Sequence, residues 1–227
     1  MRTGFGGFPP QARQFLRDLR ENNRRDWFRP RKAEYERCVR EPLFELGNEL
    51  GRALERHSPE HCFDPRRSVY RIYRDVRFSK NKDPYKTHAA VVFPPAGLGR
   101  HAGASFYFHF SADELLVGGG LYRPTSDSLR RIRAKIADDP GALRAILADS
   151  AFRASFGEMS GDRLKSVPRG YARNHPAADL LAYKQYLAGA TLPAKVIERP
   201  TVVEVVDQHF QAMAPLVSYL NRAIQGG

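Results

Sequence analysis

The segment from Arg71 to His88 carries the densest cluster of charged side chains in the chain. Arginine binds carboxylate and phosphate groups through a planar fork of hydrogen-bond donors, whereas lysine supplies a mobile point charge. A combination of the two is typical of a site that binds anions. The pattern predicts six anion-binding cations: Arg71, Arg74, Arg77, Lys80, Lys82 and Lys86.

A structural ion-pair network is the alternative interpretation of this segment. Asp75 and Asp83 lie among the cations and would neutralise some of them. Two carboxylates cannot neutralise six cations, which favours the anion site. Lysine is rare in this arginine-rich chain. Unless it is chance, the grouping of Lys80, Lys82 and Lys86 therefore indicates that this segment requires flexible ammonium groups.

Four residues in or near the segment are candidates for proton exchange with a ligand: His88, His109, Asp75 and Tyr85. His88 and His109 fall on neighbouring predicted strands. If they share the face of Arg71 and Asp75, an acid/base pair lies beside the anion site. A single histidine on a strand is more often structural, so catalysis is the minority interpretation, and whether the protein is an enzyme stays open.

Three consecutive glycines, Gly118, Gly119 and Gly120, follow a predicted strand. Glycine at a strand end permits a bulge or the close approach of a ligand to the backbone. The run is not a P-loop, because no Gly-Lys-Ser/Thr follows it. A bulge required by packing is the favoured interpretation, and close approach of a ligand is the alternative.

Metal chemistry has weak support in the sequence. His57, His61 and Cys62 have a spacing that allows metal ligation, but their loop contains proline and offers no clear fourth ligand. A Gly-x-Ser-x-Gly nucleophile elbow is absent from the sequence. We therefore expect neither a metal nor a cofactor.

The run Arg-x-x-Arg-Asp-x-Arg-Phe-Ser-Lys-x-Lys-x-Pro-Tyr-Lys-x-His, which begins at Arg71, resembles the signature of a bacterial family of conserved proteins, the DUF2461 domain of unknown function. The resemblance extends over nearly the whole chain. It includes Asn22-Asn23 with Trp27-Phe28, the run from Val117 to Tyr122, and the run from Val167 to Tyr171 with His175-Pro176. It implies membership of that family and transfers no activity and no catalytic residue.

The composition is that of a globular protein. The chain has 227 residues, of which 42% are hydrophobic and 27% charged, and we expect a single domain over residues 1–227. Its two cysteines, Cys38 and Cys62, exclude a disulfide framework. The N-terminal residues lack the apolar run of a signal peptide, and no stretch approaches the length of about 18 apolar residues that a membrane span needs. A cytoplasmic protein without a membrane partner is expected.

The formal net charge of +12 is the second general feature of the chain. A positive field of this size attracts nucleic acid, phosphorylated metabolites or anionic surfaces. Solubility within an arginine-rich proteome explains the same charge equally well. Nothing in the sequence indicates an oligomeric state.

The pattern of apolar residues predicts an α+β fold. Strands are expected from Val69 to Asp75, Thr87 to Phe93, Ala104 to Phe110 and Glu114 to Val117, as a mainly antiparallel meander over residues of about 68–120. Phe106, Phe108 and Phe110 should face one side of the sheet, and Tyr107 and His109 the other. Helices at both ends of the chain should pack the sheet.

Helical spacing appears before and after the predicted strands. The first helix should open at Pro9-Pro10 and end at Asn22-Asn23, and the second should start near Asp26 and be kinked or split by Pro42. Later helices are expected after a cap at Thr125 or Ser126, and over residues 141–147, 177–186 and 201–224. Residues 157–175 and 187–200 are expected to be irregular.

Two geometric predictions follow if the first strand is regular to Arg77. Arg74 would lie in the apolar row of Tyr70, Ile72 and Val76, so it should be buried and paired. The second prediction is that one set of side chains converges on a single concavity: Arg71, Arg77, Lys82, Lys86 and His88.

The leading functional hypothesis is a pocket for a phosphorylated or otherwise anionic small molecule. Charge stabilisation by arginine and lysine, with metal-independent acid/base work by histidine or tyrosine, would make it an enzyme. A nucleic-acid-binding module is the alternative, but it favours basic residues spread over a face with exposed aromatic rings. A structural or interaction protein, whose signature merely fixes the fold, is the third hypothesis.

Overall fold

The computed structural model describes residues 4–97 and 102–226. Its centre is a four-stranded antiparallel sheet in which the strands lie side by side in chain order. The strands are β1 (His88–Phe93), β2 (Ser105–Ser111), β3 (Glu114–Leu121) and β4 (Tyr186–Pro193). The prediction of an α+β fold on a mainly antiparallel sheet is confirmed.

Helices precede and follow the sheet, as predicted. Before it lie α1 (Gln11–Glu21), α2 (Arg25–Phe28), α3 (Lys32–Tyr35), α4 (Glu41–Leu54) and α5 (Pro65–Ser68). After β3 come α6 (Ser126–Asp138), α7 (Pro140–Ala148), α8 (Ser150–Phe156), α9 (Ala178–Leu181) and α10 (Val202–Gln225). Short 3₁₀ turns cover Arg29–Arg31 and Ala194–Glu198. No helix in the described residues is both long and apolar enough to cross a bilayer.

The two faces of the sheet differ, and the alternation in β2 predicts which is which. Phe106, Phe108 and Phe110 are fully buried, whereas Tyr107 and His109 are partly exposed on the other face. The buried face packs against α10, which runs along β3 and β2. The opposite face is therefore the one on which polar side chains of the strands can meet a ligand.

The interruption predicted at Pro42 takes the form of a π turn. Residues Glu36–Arg40 form this turn between α3 and α4, and the N–H of Glu41 donates to the carbonyl of Glu36. Pro42 lacks an N–H group, so the regular helical ladder cannot continue through it. The wider turn lets the helical chain continue into α4.

The prediction of a regular strand from Val69 to Asp75 is wrong. Isolated bridges join Val69 to Val91 and Tyr73 to Tyr85, so the chain leaves the edge of β1 and pairs with its own return segment. Polar side chains in this loop form hydrogen bonds with the backbone and so compete with strand pairing. For example, the Asp75 carboxylate accepts from the N–H of Arg77 at 3.3 Å. Regular alternation is lost as a result.

The second wrong prediction concerns the region of β4. A helix ending at Tyr186, followed by irregular chain, was expected where this strand lies. The short α9 ends at Leu181, and β4 pairs with β3 along its whole length. Its sequence is rich in alanine and glycine and has weak local strand character. The register of Gly189 opposite Gly118 shows that a partner distant in sequence determines the strand.

Candidate functional site

A concavity of about 550 Å³ lies on the face of the sheet opposite the buried phenylalanines. Strand residues with small or apolar side chains form much of its floor: Ala90, Val92, Ser105, Leu116, Gly118, Leu187 and Gly189. Polar and aromatic side chains complete the lining: Tyr70, Lys86, His88, Tyr107, His109, Tyr122, Arg123 and Ser160. Two cations, two histidines and three tyrosines therefore surround a largely apolar floor.

The three glycines lie within β3 rather than after it, and at each of them a Cβ would come closer than 3 Å to another atom. A Cβ on Gly119 would stand 2.5 Å from the Met213 Sδ of α10, and Gly120 has a φ of +113° that side chains rarely adopt. Gly118 pairs with Gly189 on the neighbouring strand. The register is continuous through the three glycines, so the favoured bulge is absent, although close packing does account for glycine at these positions.

His88 and His109 meet in the concavity. They lie on β1 and β2, and the centroids of their rings are 5.0 Å apart. Burial lowers the pKa of His88 to about 4, with further lowering by His109 and the cations Lys86 and Arg74. At neutral pH His88 is uncharged and therefore able to accept a proton.

A chain of three polar groups extends from His109. Its Nδ1 lies 3.1 Å from the hydroxyl oxygen of Tyr107, and its Nε2 lies 3.7 Å from a carboxylate oxygen of Glu114. The carboxylate favours the tautomer with the proton on Nε2, which leaves Nδ1 to accept from the tyrosine O–H. Burial lowers the pKa of His109 and raises that of Tyr107, so both are neutral at pH 7. A proton taken up by Tyr107 from a ligand can pass to His109.

Lys86 and Arg123 supply the positive charge at the concavity. The ammonium of Lys86 donates to the carbonyl of Arg71 at 2.9 Å and stands 5.0 Å from the ring centroid of Tyr70. The guanidinium of Arg123 lies 5.7 Å from the ring centroid of Tyr122. Each cation is thus placed beside an aromatic ring that lines the same site.

The predicted convergence of five side chains on one concavity is wrong for three of them. Lys86 and His88 line the concavity, but Arg71 lines a separate groove. Arg77 forms an exposed ion pair with Asp75 at 2.8 Å, and Lys82 donates to the carbonyl of Val76 at 3.0 Å. The irregular loop separates these cations because its turns break the strand alternation on which the prediction rested.

Arg74 and Lys80 complete the set of predicted anion-binding cations. Arg74 is half-buried, with 29% of its side chain exposed, and its guanidinium lies 4.0 Å from the carboxylate of Asp83. The prediction that Arg74 is paired is confirmed by this contact, but it is less buried than predicted because the apolar row does not form. Lys80 is exposed in the loop.

Two of the four proton-exchange candidates lie outside the concavity. Tyr85 is 3% exposed and stacks on Phe28 with ring centroids 4.2 Å apart, so it belongs to the core. Asp75 is exposed, and hydrogen bonds from Arg77 lower its pKa to about 2. His88 and His109 are the two candidates that line the site.

Several residues of the site were not among the sequence candidates. Tyr107 was placed on the correct face by alternation but given no role. Glu114 reaches His109 across the β2–β3 hairpin, and the predicted meander, with one strand ending at Phe110 and the next beginning at Glu114, was the available signal. Arg123 follows β3 in a stretch that carries no motif, so nothing in the sequence distinguishes it from the other arginines.

The loop residues weighed as metal ligands point to different partners. The Nε2 of His57 lies 2.9 Å from the carboxylate of Asp207, whereas the Nε2 of His61 lies 3.1 Å from the carbonyl oxygen of Ala104. Within residues 4–97 and 102–226, no three histidine, cysteine or acidic side chains are grouped so as to hold a metal ion.

Comparison with protein families identifies the chain. A family described as a conserved hypothetical protein, DUF2461, matches residues 11–219. The chain belongs to the DUF2461 family. This match spans every strand of the sheet and each lining residue of the concavity in this DUF2461 protein. A search of curated proteins found no match.

Proposed function

We propose that the concavity of this DUF2461 protein binds a small anionic molecule, phosphorylated or carboxylated, that has a planar or apolar body. The observation that carries the proposal is the pairing of Lys86 and Arg123 in a lining to which no described acidic residue contributes. Cations beside a partly enclosed surface attract an anion more strongly than cations in open water.

The rest of the lining suits a ligand that has an aromatic or apolar part as well as a charged group. Tyr70, Tyr107 and Tyr122 provide aromatic surface, and Leu116 and Leu187 provide apolar surface. A volume of about 550 Å³ lies within the usual range of roughly 300–1,000 Å³ for small-molecule sites. A bare inorganic anion would leave most of this surface in contact with water.

The neutral histidines add acid/base chemistry to the proposed site. His88 is free of charge at pH 7 and lines the concavity. Tyr107 and His109 form a path along which a proton from a bound ligand travels away from the reacting atom. The proposed reaction class is a metal-independent proton transfer on the bound anion.

Titration calorimetry with three probes tests the proposal. Phenyl phosphate should bind more tightly than inorganic phosphate, which lacks a body, and than phenol, which lacks the charge. Lys86→Met and Arg123→Met should each weaken phenyl phosphate by about tenfold, because a hydrogen bond to a charged group contributes about 1.5–3 kcal/mol. Lys82→Met, outside the concavity, is the matched control and should bind as the wild type does. Equal losses in all three variants would contradict the proposal.

Nucleic-acid binding is the second candidate, because one loop has features that suit it. Phe78 is 95% exposed, and the guanidinium of Arg77 lies 5.7 Å from its ring centroid. Exposed aromatic rings with adjacent cations stack on the bases of single strands. Oligonucleotide affinity that falls steeply with salt and is abolished by Phe78→Ala together with Lys80→Ala and Lys82→Ala would favour this function.

A further inference from the structure

A second cleft lies on the other side of the segment that carries Tyr70. It has a volume of about 390 Å³ and runs between the helical chain around the π turn and the stretch from Pro65 to Tyr73. We call it the basic groove. Its lining residues are Phe28, Lys32, Tyr35, Glu36, Arg40, Phe44, Pro65, Arg66, Val69, Tyr70, Arg71, Ile72 and Tyr73. Tyr70 is shared with the concavity, so the two sites are neighbours with separate sets of cations.

Charge in the basic groove is not balanced. Lys32, Arg40, Arg66 and Arg71 face one carboxylate, Glu36, whose oxygen lies 2.7 Å from the guanidinium of Arg40. Among the described residues, no carboxylate is within ion-pair distance of Lys32, Arg66 or Arg71. Three cations therefore remain for a ligand, and two of them are arginines, whose forks match the oxygens of a phosphate group.

The floor of the basic groove is aromatic. Phe28 and Tyr35 are buried at 2% and 5% exposure, whereas Tyr73 is 47% exposed. Burial raises the pKa of Tyr35, so its hydroxyl keeps its proton. A low-polarity floor strengthens the attraction between the cations above it and an anion.

The π turn is an independent feature of the same place. Its first and last residues, Glu36 and Arg40, both line the groove. Pro42 explains why the helix departs from regular geometry nearby, and π turns inside helices are frequent at functional sites. The turn thus contributes the ion pair of Glu36 and Arg40 to the lining of the groove.

We propose that the basic groove is a second anion site, which takes a multiply charged oxyanion such as a phosphate or pyrophosphate group between Lys32, Arg66 and Arg71. The site is separate from the concavity proposed above and does not depend on it. Arg71 contributes its side chain to the groove, while its carbonyl accepts from Lys86. Replacement of the Arg71 side chain therefore leaves the backbone group that holds Lys86.

Inorganic pyrophosphate is the probe, and backbone amide shifts in the NMR spectrum locate where it binds. The amides from Arg66 to Tyr73 should shift on titration. Arg66→Ala/Arg71→Ala should weaken the binding reported by these amides by about tenfold or more, since two charge-assisted contacts are lost. The matched control, Arg153→Ala/Arg169→Ala, removes the same charge from exposed positions outside both sites and should change this binding less than about twofold.

The same spectra separate this proposal from that for the concavity. Lys86→Met/Arg123→Met should keep the pyrophosphate response of the groove amides, and Arg66→Ala/Arg71→Ala should keep the phenyl phosphate response of Gly118 and Gly189. Equal weakening by both double alanine variants would show a diffuse field and overturn the groove proposal. Pyrophosphate shifts confined to the concavity would overturn it as well, while leaving the proposed function intact.

Discussion

The imidazole rings of His88 and His109 lie on adjacent strands with their centroids 5.0 Å apart. The protonated form of each histidine is disfavoured, because both rings are partly withdrawn from water. Protonation of His109 also opposes protonation of His88. Both rings line the concavity, as do Lys86 and Tyr107. The protonation of the pair therefore links the stability of the fold to the chemistry of the site.

Because of His88, the fold should become less stable as the pH falls. The pKa of His88 is near 6.5 when unfolded and about 4 in the fold, so the unfolded chain takes up the proton more readily. The stabilising contribution is complete above pH 6.5 and is lost as the pH falls towards 4, amounting to at most about 3 kcal/mol. Denaturant unfolding of wild type and His88→Gln from pH 7 to 4 measures it.

The His88 prediction concerns the difference between the two proteins. The wild type should lose stability more steeply than His88→Gln over this range. His209→Gln, on α10 and outside the concavity lining, is the control and should keep the wild-type slope. Parallel curves for wild type and His88→Gln would show that His88 is not withdrawn from water as the structure has it.

Two glycine substitutions should separate folding from binding. Gly120→Ala should cost about 2 kcal/mol or more, because its φ is +113° and the new Cβ would overlap the carbonyl of Tyr186. Gly189→Ala should change stability by less than about 0.5 kcal/mol, since the nearest atom to its Cβ is 3.6 Å away.

Ligand binding should respond to Gly189→Ala even though stability does not. The Gly189→Ala methyl group lies on the concavity face, so the folded variant should bind phenyl phosphate more weakly than the wild type. Thermal unfolding and calorimetry on the same samples check both halves. A stable Gly189→Ala protein with undiminished affinity would place the ligand elsewhere.

Asp207 should be essential to the anchoring of α10. It is 6% exposed, and its carboxylate accepts from Gln211 at 2.9 Å and Arg56 at 3.3 Å, with the Nε2 of His57 at 2.9 Å. Asp207→Ala removes these contacts and leaves His57, whose side chain is 18% exposed, without its carboxylate partner, which should cost about 1–3 kcal/mol. Arg56→Ala, whose side chain is 65% exposed, should cost less than about 1 kcal/mol. Similar chemical denaturation midpoints for the two variants would contradict the assignment.

Glu114 should control the basicity of His109. Its carboxylate raises the pKa of His109 against the larger lowering by burial. Glu114→Gln should therefore lower the pKa of His109 further, as an NMR titration of the imidazole signals would show. Glu158→Gln, in the turn after α8, is the control and should leave that titration unchanged. A pKa of His109 that does not respond to Glu114→Gln would remove the third member of the proton path.

Local periodicity explains which parts of the fold the sequence predicts correctly. Phe106, Phe108 and Phe110 alternate with Tyr107 and His109, and this period of two determines which face each occupies whatever the neighbouring strands are. The caps are local as well: the Thr125 hydroxyl accepts from the N–H of Ser128 at 3.1 Å, as the sequence indicates.

Contacts between residues far apart in sequence explain the failures. β4 lacks strand character of its own and exists through its register with β3, for example Gly189 opposite Gly118. The strand prediction in the cation segment failed for the opposite reason, because short-range bonds such as that from the N–H of Arg77 to the Asp75 side chain at 3.3 Å compete with strand pairing. The site residue Arg123 follows the end of β3, which lies at Leu121 and not at Val117 as the sequence predicts.

A crystal structure of the protein soaked with phenyl phosphate tests the central claim most directly. The account predicts one ligand on the open face of the sheet, with its phosphate within hydrogen-bond distance of Lys86 or Arg123 and its ring against Gly118 and Gly189. An empty concavity at a saturating concentration of ligand, or a ligand bound at the loop of Arg77 and Phe78 instead, would contradict it.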